Sequence, residues 1–548
     1  MRLVKPFLRS GVFRRACILL ASLNAACSSN DTDSVPNPGP STWPTAADVD
    51  IKRYDLKGEY DWDRERFIAT VDITLSPISD TGNVVELDSA VTEIKVVRLA
   101  GGKTLPFSIN SREHTLRIDV ATVSDFKKGV DITLEVDYEA APSDSFIPVS
   151  GRRGDPLDVR AVFTDSEPLG VRAWMPCHDT PKDRAYFSIA MRMDDHEKMI
   201  ANGDLISDEP DSGGSHWMKY ETAYTLPTYV MAFAISDFEV KTIMKGNLPV
   251  SIWHRRGLQG HYDAVLNEMG GMIDRFEGLL GPYPFEKYAV VHLPSLPSSG
   301  MENASISFHF EGAGTEPLGA ELQLTAHELA HQWFGDLMTI ESWDDLWIKE
   351  GMASLLELEG VRDHSDKDGP FTLNGNDLYA IDGMSIRDVS LAPDDKYTAG
   401  PYGRAAWLLT QIRAVVGEDV FWKTLRKILD EHRFGVIGTE AFIDAFAEVL
   451  DPAIAARVKH AIDAKGLPTM TIEPLFMEGA LVTINDPDGA LIAPVEIGWV
   501  AENGSMRIET FEMGVPLPIS PKTSGEFLVL DPKDHFLTWD SFLVDDLS

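Results

Sequence analysis

Two histidines, His327 and His331, stand four residues apart, with Glu328 beside the first and Glu350 nineteen residues past the second. Positions i and i+4 of a helix lie one above the other, so both imidazoles can converge on one ion. Zinc accepts imidazole and carboxylate ligands near 2 Å, and a catalytic zinc keeps three protein ligands so that water takes the fourth position. Glu350 is the expected third ligand. Ser342 followed by Asp345 is a capping-box pattern that starts a helix ahead of it, and Gly351 lets that helix pack closely against a neighbour. Glu328 is displaced about 100° around its helix from the ligand stripe. It is poorly placed to share the metal and well placed to reach its water, which makes it the expected general base. The chemistry these residue types imply is metal-assisted hydrolysis.

Upstream lies Gly300-Met301-Glu302-Asn303, with Glu302 placed 25 residues before His327. Together with the metal set, this segment resembles the Gly-x-Met-Glu-Asn motif of the gluzincin-type zinc aminopeptidases, the family typified by aminopeptidase N and leukotriene hydrolase. The resemblance implies that the main chain of Gly300, Met301 and Asn303 pairs with the substrate backbone as an added strand, and that Glu302 binds its free α-ammonium. Pro176, Cys177, Asp179 and Pro181 are similar to the family's Pro-Cys-x-Asp-x-Pro core, and its second amine-binding residue then falls on Glu167. The stretch YGRAAWLLTQI resembles the Tyr-x-Lys-Gly-x-x-x-Leu helix that carries a transition-state tyrosine, here Tyr402. Tyr397 is the nearby alternative, but Thr398-Ala399-Gly400-Pro401 after it does not read as that helix. Three departures stand out: Ser299 for the first glycine, Lys349 for the asparagine before the third ligand, and Arg404-Ala405 for Lys-Gly. None removes a group with a chemical role, so they bear on specificity more than on activity.

The implied activity is hydrolysis of the N-terminal peptide bond of peptides with a free N-terminus, using one zinc ion. Two alternatives belong to other classes: a catalytically silent member acting as a binding or scaffold protein, and a bifunctional lipid epoxide hydrolase. The metal ligands and base are all present, which disfavours the first. Tyr402 as a core residue and Glu167 as a surface acid beside Pro168 are the plainer readings of those two positions. Trp333 and Phe334 read as packing on the back of the metal helix, and Cys177 as a small buried side chain.

The elements that must position these residues follow from periodicity. At 548 residues, 44% hydrophobic and 25% charged, the chain is long enough for several cored domains. From about Trp43 to Val240 the pattern has period two, as in Val130, Ile132, Leu134, Val136 and Tyr138, or Val71, Ile73 and Leu75, which predicts half-buried antiparallel strands. From about 260 to 466 it turns helical, with segments Tyr262–Leu280, Leu318–Phe334, Asp345–Gly360 and Tyr402–Val416, the last closed by Gly417. Alternation returns in Ala480–Ile484, Val495–Trp499 and Met506–Thr510, which predicts a small β-sandwich. The fold class is therefore multidomain α+β. The resemblance, over about 47–540, further implies an N-terminal antiparallel β saddle (47–240), a thermolysin-like, mainly helical catalytic domain (241–467) and a C-terminal β-sandwich (468–548), ending before any helical C-terminal domain.

The first 27 residues place Arg2, Lys5, Arg9, Arg14 and Arg15 ahead of the apolar run Ala16 to Ala26, with small Ala25 and Ala26 before Cys27. This is export-signal architecture, too short to span a bilayer. Cys27 is the expected lipidation site, with 28–46 as a flexible tether. Asn24 stands where a leucine is usual, so an ordinary cleaved signal is the alternative. Either way the expected location is the periplasm or outer-membrane surface of a bacterial-type cell. Beyond the leader Cys177 is the one remaining cysteine, so no intramolecular disulfide is expected. The formal charge of −37 disfavours nucleic acid and favours cationic partners such as peptide N-termini, besides keeping the surface soluble. Oligomeric state is not encoded legibly.

Overall fold

The computed structural model describes residues 48–150, 157, 159–312, 317–362, 384–466, 468–475, 479–486, 488–493, 495–500, 505–511, 517–519, 527–530 and 543–544. The expected leader, Cys27 and tether lie outside these residues. Among the described residues no helix is long and apolar enough to cross a membrane.

The N-terminal part is built on an eight-stranded sheet whose central strands are Val49–Asp61, Arg66–Pro77 and Ile132–Ala140. Leu56 faces Val71, Tyr54 faces Ile73, and Ile73 in turn faces Leu134, so one apolar stripe runs across the strands. Val71, Ile73, Leu134 and Val136 are fully buried, as the alternation predicts. Two details differ from the expectation. Val130 falls before its strand and is exposed, because Gly129 turns the chain there with φ 71°. The sheet is also mixed rather than purely antiparallel: Val49–Asp61 pairs in parallel with Arg184–Asp194. Parallel and antiparallel neighbours share the same side-chain period of two, so alternation alone does not separate them.

The part that carries the metal residues contains helices α1 (Tyr262–Leu280), α2 (Leu318–Ala330), α3 (Leu346–Gly360), α4 (Ala405–Val416), α5 (Glu418–Glu431), α6 (Thr439–Ala447) and α7 (Pro452–Asp463). It also contains a five-stranded sheet in the order Phe238–Lys245, Leu248–Arg255, Tyr288–Leu293, Ile306–Phe310, Gly300–Met301. The helical reading of this region missed the inner strands Tyr288–Leu293 and Ile306–Phe310. Every residue of the first is buried, and all but the last of the second, so they lack the alternation by which a half-exposed strand announces itself. Two loop-linked sheets of four and three strands follow, with Gly479–Asn485, Val495–Val500 and Met506–Phe511 close to the expected bounds.

Helix α2 packs on α3, and α3 on α4. Close approach depends on missing side chains. A Cβ at Gly351 would meet that of Ala405 at 2.5 Å, and one at Gly360 would meet that of Ala326 at 2.6 Å. The sequence expectation for Gly351 is thus met by α4. Helix α4 ends at Gly417, whose φ is 84° and whose N–H donates to Arg413 O at 2.8 Å.

Candidate active site

Helix α2 brings His327 into its last turn and ends at Ala330, earlier than the expected Phe334, with His331 as its C-terminal cap. The chain then turns through Gly335, φ 132°, into the short strand Met338–Ile340. The two imidazoles keep their i, i+4 relation, with ring centroids 4.9 Å apart. Ser342 donates from its backbone N and from Oγ to the Asp345 carboxylate at 3.1 and 2.9 Å, opening a short 3-10 turn before α3. The other Asp345 oxygen takes Thr439 N and Oγ1 at 2.8 and 2.7 Å, anchoring this start. Helix α3 then delivers Glu350.

Glu350 Oε2 lies 3.4 Å from His327 Nε2 and 3.4 Å from His331 Nε2. Zinc bonds of about 2.0–2.1 Å at tetrahedral angles require ligand-to-ligand edges of roughly 3.3–3.4 Å, so both edges from Glu350 suit that ion, and all three donors lie within 4.8 Å of one another. The outward ring nitrogens are also anchored. Nδ1 of His327 meets Glu357 Oε2 at 2.8 Å, and Nδ1 of His331 meets Phe334 O at 3.0 Å, which leaves both Nε2 atoms facing the metal position. Gln323 steadies Glu357 through its other oxygen at 2.8 Å. Burial draws the His327 imidazole down, but the hydrogen bonds to Glu350 and Glu357 carry it well above its ordinary range. Glu357 escaped the sequence reading. Its signal was its place seven residues after Glu350, two turns along one helix face.

A second buried group, His292, His309 and Glu321, also gathers three ligand-type atoms. Glu321 Oε1 is 2.9 Å from His292 Nε2 and 3.1 Å from His309 Nδ1, which is hydrogen-bond spacing. Among the described residues the remaining ring nitrogens have no hydrogen-bond partner, so this group lacks there the anchoring that orients metal-binding imidazoles. His327, His331 and Glu350, anchored from behind, fit a metal ion better than this group does.

Glu328 is 4% exposed. Burial raises its carboxyl to about 7 against the opposing pull of His327 and His331. It lies directly against Gly300: a Cβ there would stand 2.2 Å from Glu328 Oε1. Gly300 and Met301 form the outermost strand of the five-stranded sheet, paired on one side only, with His309 and Phe308. Among the described residues no strand pairs with their other edge, where Gly300 O accepts from Ser298 Oγ at 2.6 Å; an edge strand of this kind can take on a peptide as a further strand. Met301 and Asn303 are buried.

Glu302 is 3% exposed and approaches the metal residues through Lys349, whose Nζ donates to Glu302 Oε1 at 2.6 Å and lies 2.7 Å from Glu167 Oε1. Lys349 also touches Glu350, on Oε1, the oxygen opposite the imidazoles. Burial works against the ammonium, yet Glu167, Glu302 and Glu350 together hold it well above its usual range. Burial would raise Glu302, but Lys349 keeps it below the ordinary carboxylate value. Glu167 is pushed well up by burial and by the Glu302 charge. Glu167 is therefore no free surface acid: the fold brings it from the N-terminal part to Glu302.

Tyr402 sits in a π-helical turn, Gly400–Arg404, that leads into α4. Its ring stacks beside His327, centroids 6.3 Å apart at 15°. Burial raises its phenol well above the usual value, so it remains a donor. Tyr397 precedes that turn and is 37% exposed. Trp333 packs on Phe276 and Tyr283 and donates to Gly281 O at 3.2 Å, and Phe334 is fully buried, as packing residues. Cys177 is buried with its thiol raised by desolvation, which makes it inert.

The Peptidase family M1 domain matches residues 265–463, and the Peptidase M1 N-terminal domain matches residues 51–230. Aminopeptidase N of Haemonchus contortus is 25% identical over 409 residues, 69% of this chain and 42% of its own length. Probable aminopeptidase 1 of Sulfurisphaera tokodaii is 24% identical over 450 residues, 77% of this chain and 54% of that protein. Endoplasmic reticulum aminopeptidase 1 of Homo sapiens is 28% identical over 307 residues, 52% of this chain and 32% of its own. The chain thus spans between about a third and about half of the length of these relatives.

Proposed function

Because the chain belongs to peptidase family M1, we propose that it is a zinc aminopeptidase that releases the N-terminal residue of peptides. One observation carries this: Glu350 Oε2 lies 3.4 Å from both Nε2 atoms, with both histidines anchored from behind, beside a buried glutamate and an edge strand.

Zinc held by His327, His331 and Glu350 would supply a Lewis acid and an acidified water. Glu328 takes the proton of the attacking water and later hands it to the leaving nitrogen. The Tyr402 hydroxyl donates to the oxyanion that develops on the first carbonyl. Gly300, Met301 and Asn303 align the peptide along the open strand edge. Glu302 and Glu167 fix the α-ammonium, so that only the first peptide bond reaches the reacting position. Exopeptidase action follows from that fixed spacing.

For the whole chain we infer a leader at 1–27 of lipoprotein type with Cys27 lipidated, a tether at 28–46, a β saddle at 47–240, a thermolysin-like catalytic domain at 241–467 and a small β-sandwich at 468–548. Cationic residues, an apolar run and small residues before Cys27 support the leader, and with it an exported protein at a bacterial cell surface or in the periplasm. The two terminal sheets support the sandwich.

The test is hydrolysis of leucine p-nitroanilide and of its N-acetyl derivative by the zinc-loaded chain, with Glu328→Ala as control. Cleavage of the free amine alone, abolished in Glu328→Ala with zinc retained, is the expected result. Equal cleavage of the acetylated compound would refute the exopeptidase reading.

A further inference from the structure

Two carboxylates that receive a substrate ammonium should face open space or a neutral donor between visits. Here they face a cation. Lys349 is 1% exposed, and its Nζ stands between Glu302 Oε1 at 2.6 Å and Glu167 Oε1 at 2.7 Å. A substrate α-ammonium would need that same position, since it carries the same charge and the same N–H donors. The position is also compatible with a loaded metal centre, because Glu350 divides its oxygens: Oε2 faces the imidazoles and Oε1 faces Lys349.

We propose that the Lys349 ammonium is a tethered occupant of the amine subsite, so that a free N-terminus binds only by displacing Lys349 from Glu302 and Glu167. This rests on the assignment of those two glutamates as the amine-binding pair. Lys349 is then a specificity-determining residue. It weakens binding of every free amine, because the Lys349 ammonium already stands within 2.7 Å of both carboxylates and must leave before another ammonium can take that position. It also narrows the margin by which a charged N-terminus outcompetes an uncharged one. Peptides whose remaining contacts along the Gly300–Met301 edge are strong enough to drive the displacement become the preferred class, and short amines with few such contacts become poor ligands.

The plain alternative is that Lys349 is a fixed strut holding two carboxylates in place. The two predict opposite signs. Calorimetric titration of leucinol, a free amine with no bond to cleave, and of N-acetyl-leucinol would be run on the zinc-loaded full chain, as wild type, Lys349→Gln and Lys349→Met. Displacement predicts leucinol binding at least tenfold tighter in both variants, with N-acetyl-leucinol unchanged. Binding equal to or weaker than wild type would overturn the proposal in favour of a strut, while a preference for leucinol over its acetyl form would leave the amine site standing. Absence of that preference in every variant would overturn the amine site and this inference with it. Should the substitutions fail to fold, the wild-type chain with 15N-labelled lysine decides. Saturating leucinol, but not N-acetyl-leucinol, should shift the buried Lys349 Nζ resonance, and an unmoved resonance would refute displacement.

Discussion

Replacing Gly300 with alanine adds one methyl group where the structure has no room. The new Cβ would lie 2.2 Å from Glu328 Oε1, 2.7 Å from its Cδ and 3.0 Å from its Cγ, whereas non-bonded carbons rest at about 3.5–4.0 Å. The strand is held through its pairing with Ile306–Phe310, so the Glu328 side chain must retreat by about 1 Å, a displacement that can cost on the order of 100-fold in rate. That corresponds to about 2.7 kcal/mol in the barrier. Crowding in a buried site adds about 1–3 kcal/mol of destabilisation. Zinc content should stay at wild-type level, since none of the ligands is touched. The assay is kcat for leucine p-nitroanilide with parallel metal analysis and a melting curve. A Gly300→Ala enzyme with lowered melting temperature but kcat within a few-fold of wild type would refute the placement of Glu328 as the base.

Tyr402→Phe removes one donor to the oxyanion and should lower kcat by roughly 100- to 1000-fold with KM little changed, read from steady-state kinetics on the same substrate. Glu357→Gln weakens the anchor behind His327 and should reduce zinc affinity about 10- to 100-fold, measured by competition with a chelator. Glu328 acts only when deprotonated. Burial raises its carboxyl to about 7, and bound zinc, which needs neutral imidazoles, substitutes its own positive charge for the pull of His327 and His331, so kcat/KM should fall as pH drops, with its acid limb near or below pH 7. An acid limb well above neutrality would contradict this assignment.

How much of this was legible in the sequence depended on whether a residue's role leaves a local pattern. The convergence of His327 and His331 did, because i, i+4 spacing on a helix is geometry written directly into the chain. The outer strands did also, through alternation at Val71, Ile73 and Leu75. Tyr288–Leu293 did not, since a strand buried on both faces has no period to detect. The end of α2 at Ala330 was missed because Trp333 and Phe334 continue the apolar pattern past the last helical turn. Lys349 was visible only as a departure from a motif. Its meaning required Glu167 and Glu302, which lie 182 and 47 residues away, to be seen converging on one atom. Contacts of that range are made by topology, and no local window contains them.

The adjacency of Lys349 and Glu350 has a mechanical consequence. The atom that touches Glu302 and Glu167 at rest and the atom that would touch the metal branch from neighbouring α-carbons, so a single peptide unit near the start of α3 is the gauge between them. Breathing of the surrounding sheets can tilt or loosen the cleft, yet it cannot lengthen that gauge without unwinding the helix. That covalent link ties the resting carboxylates to the third ligand only while Lys349 stands between them; once a peptide ammonium has displaced it, the position of the cut is set by the span from Glu302 and Glu167 to the metal residues alone.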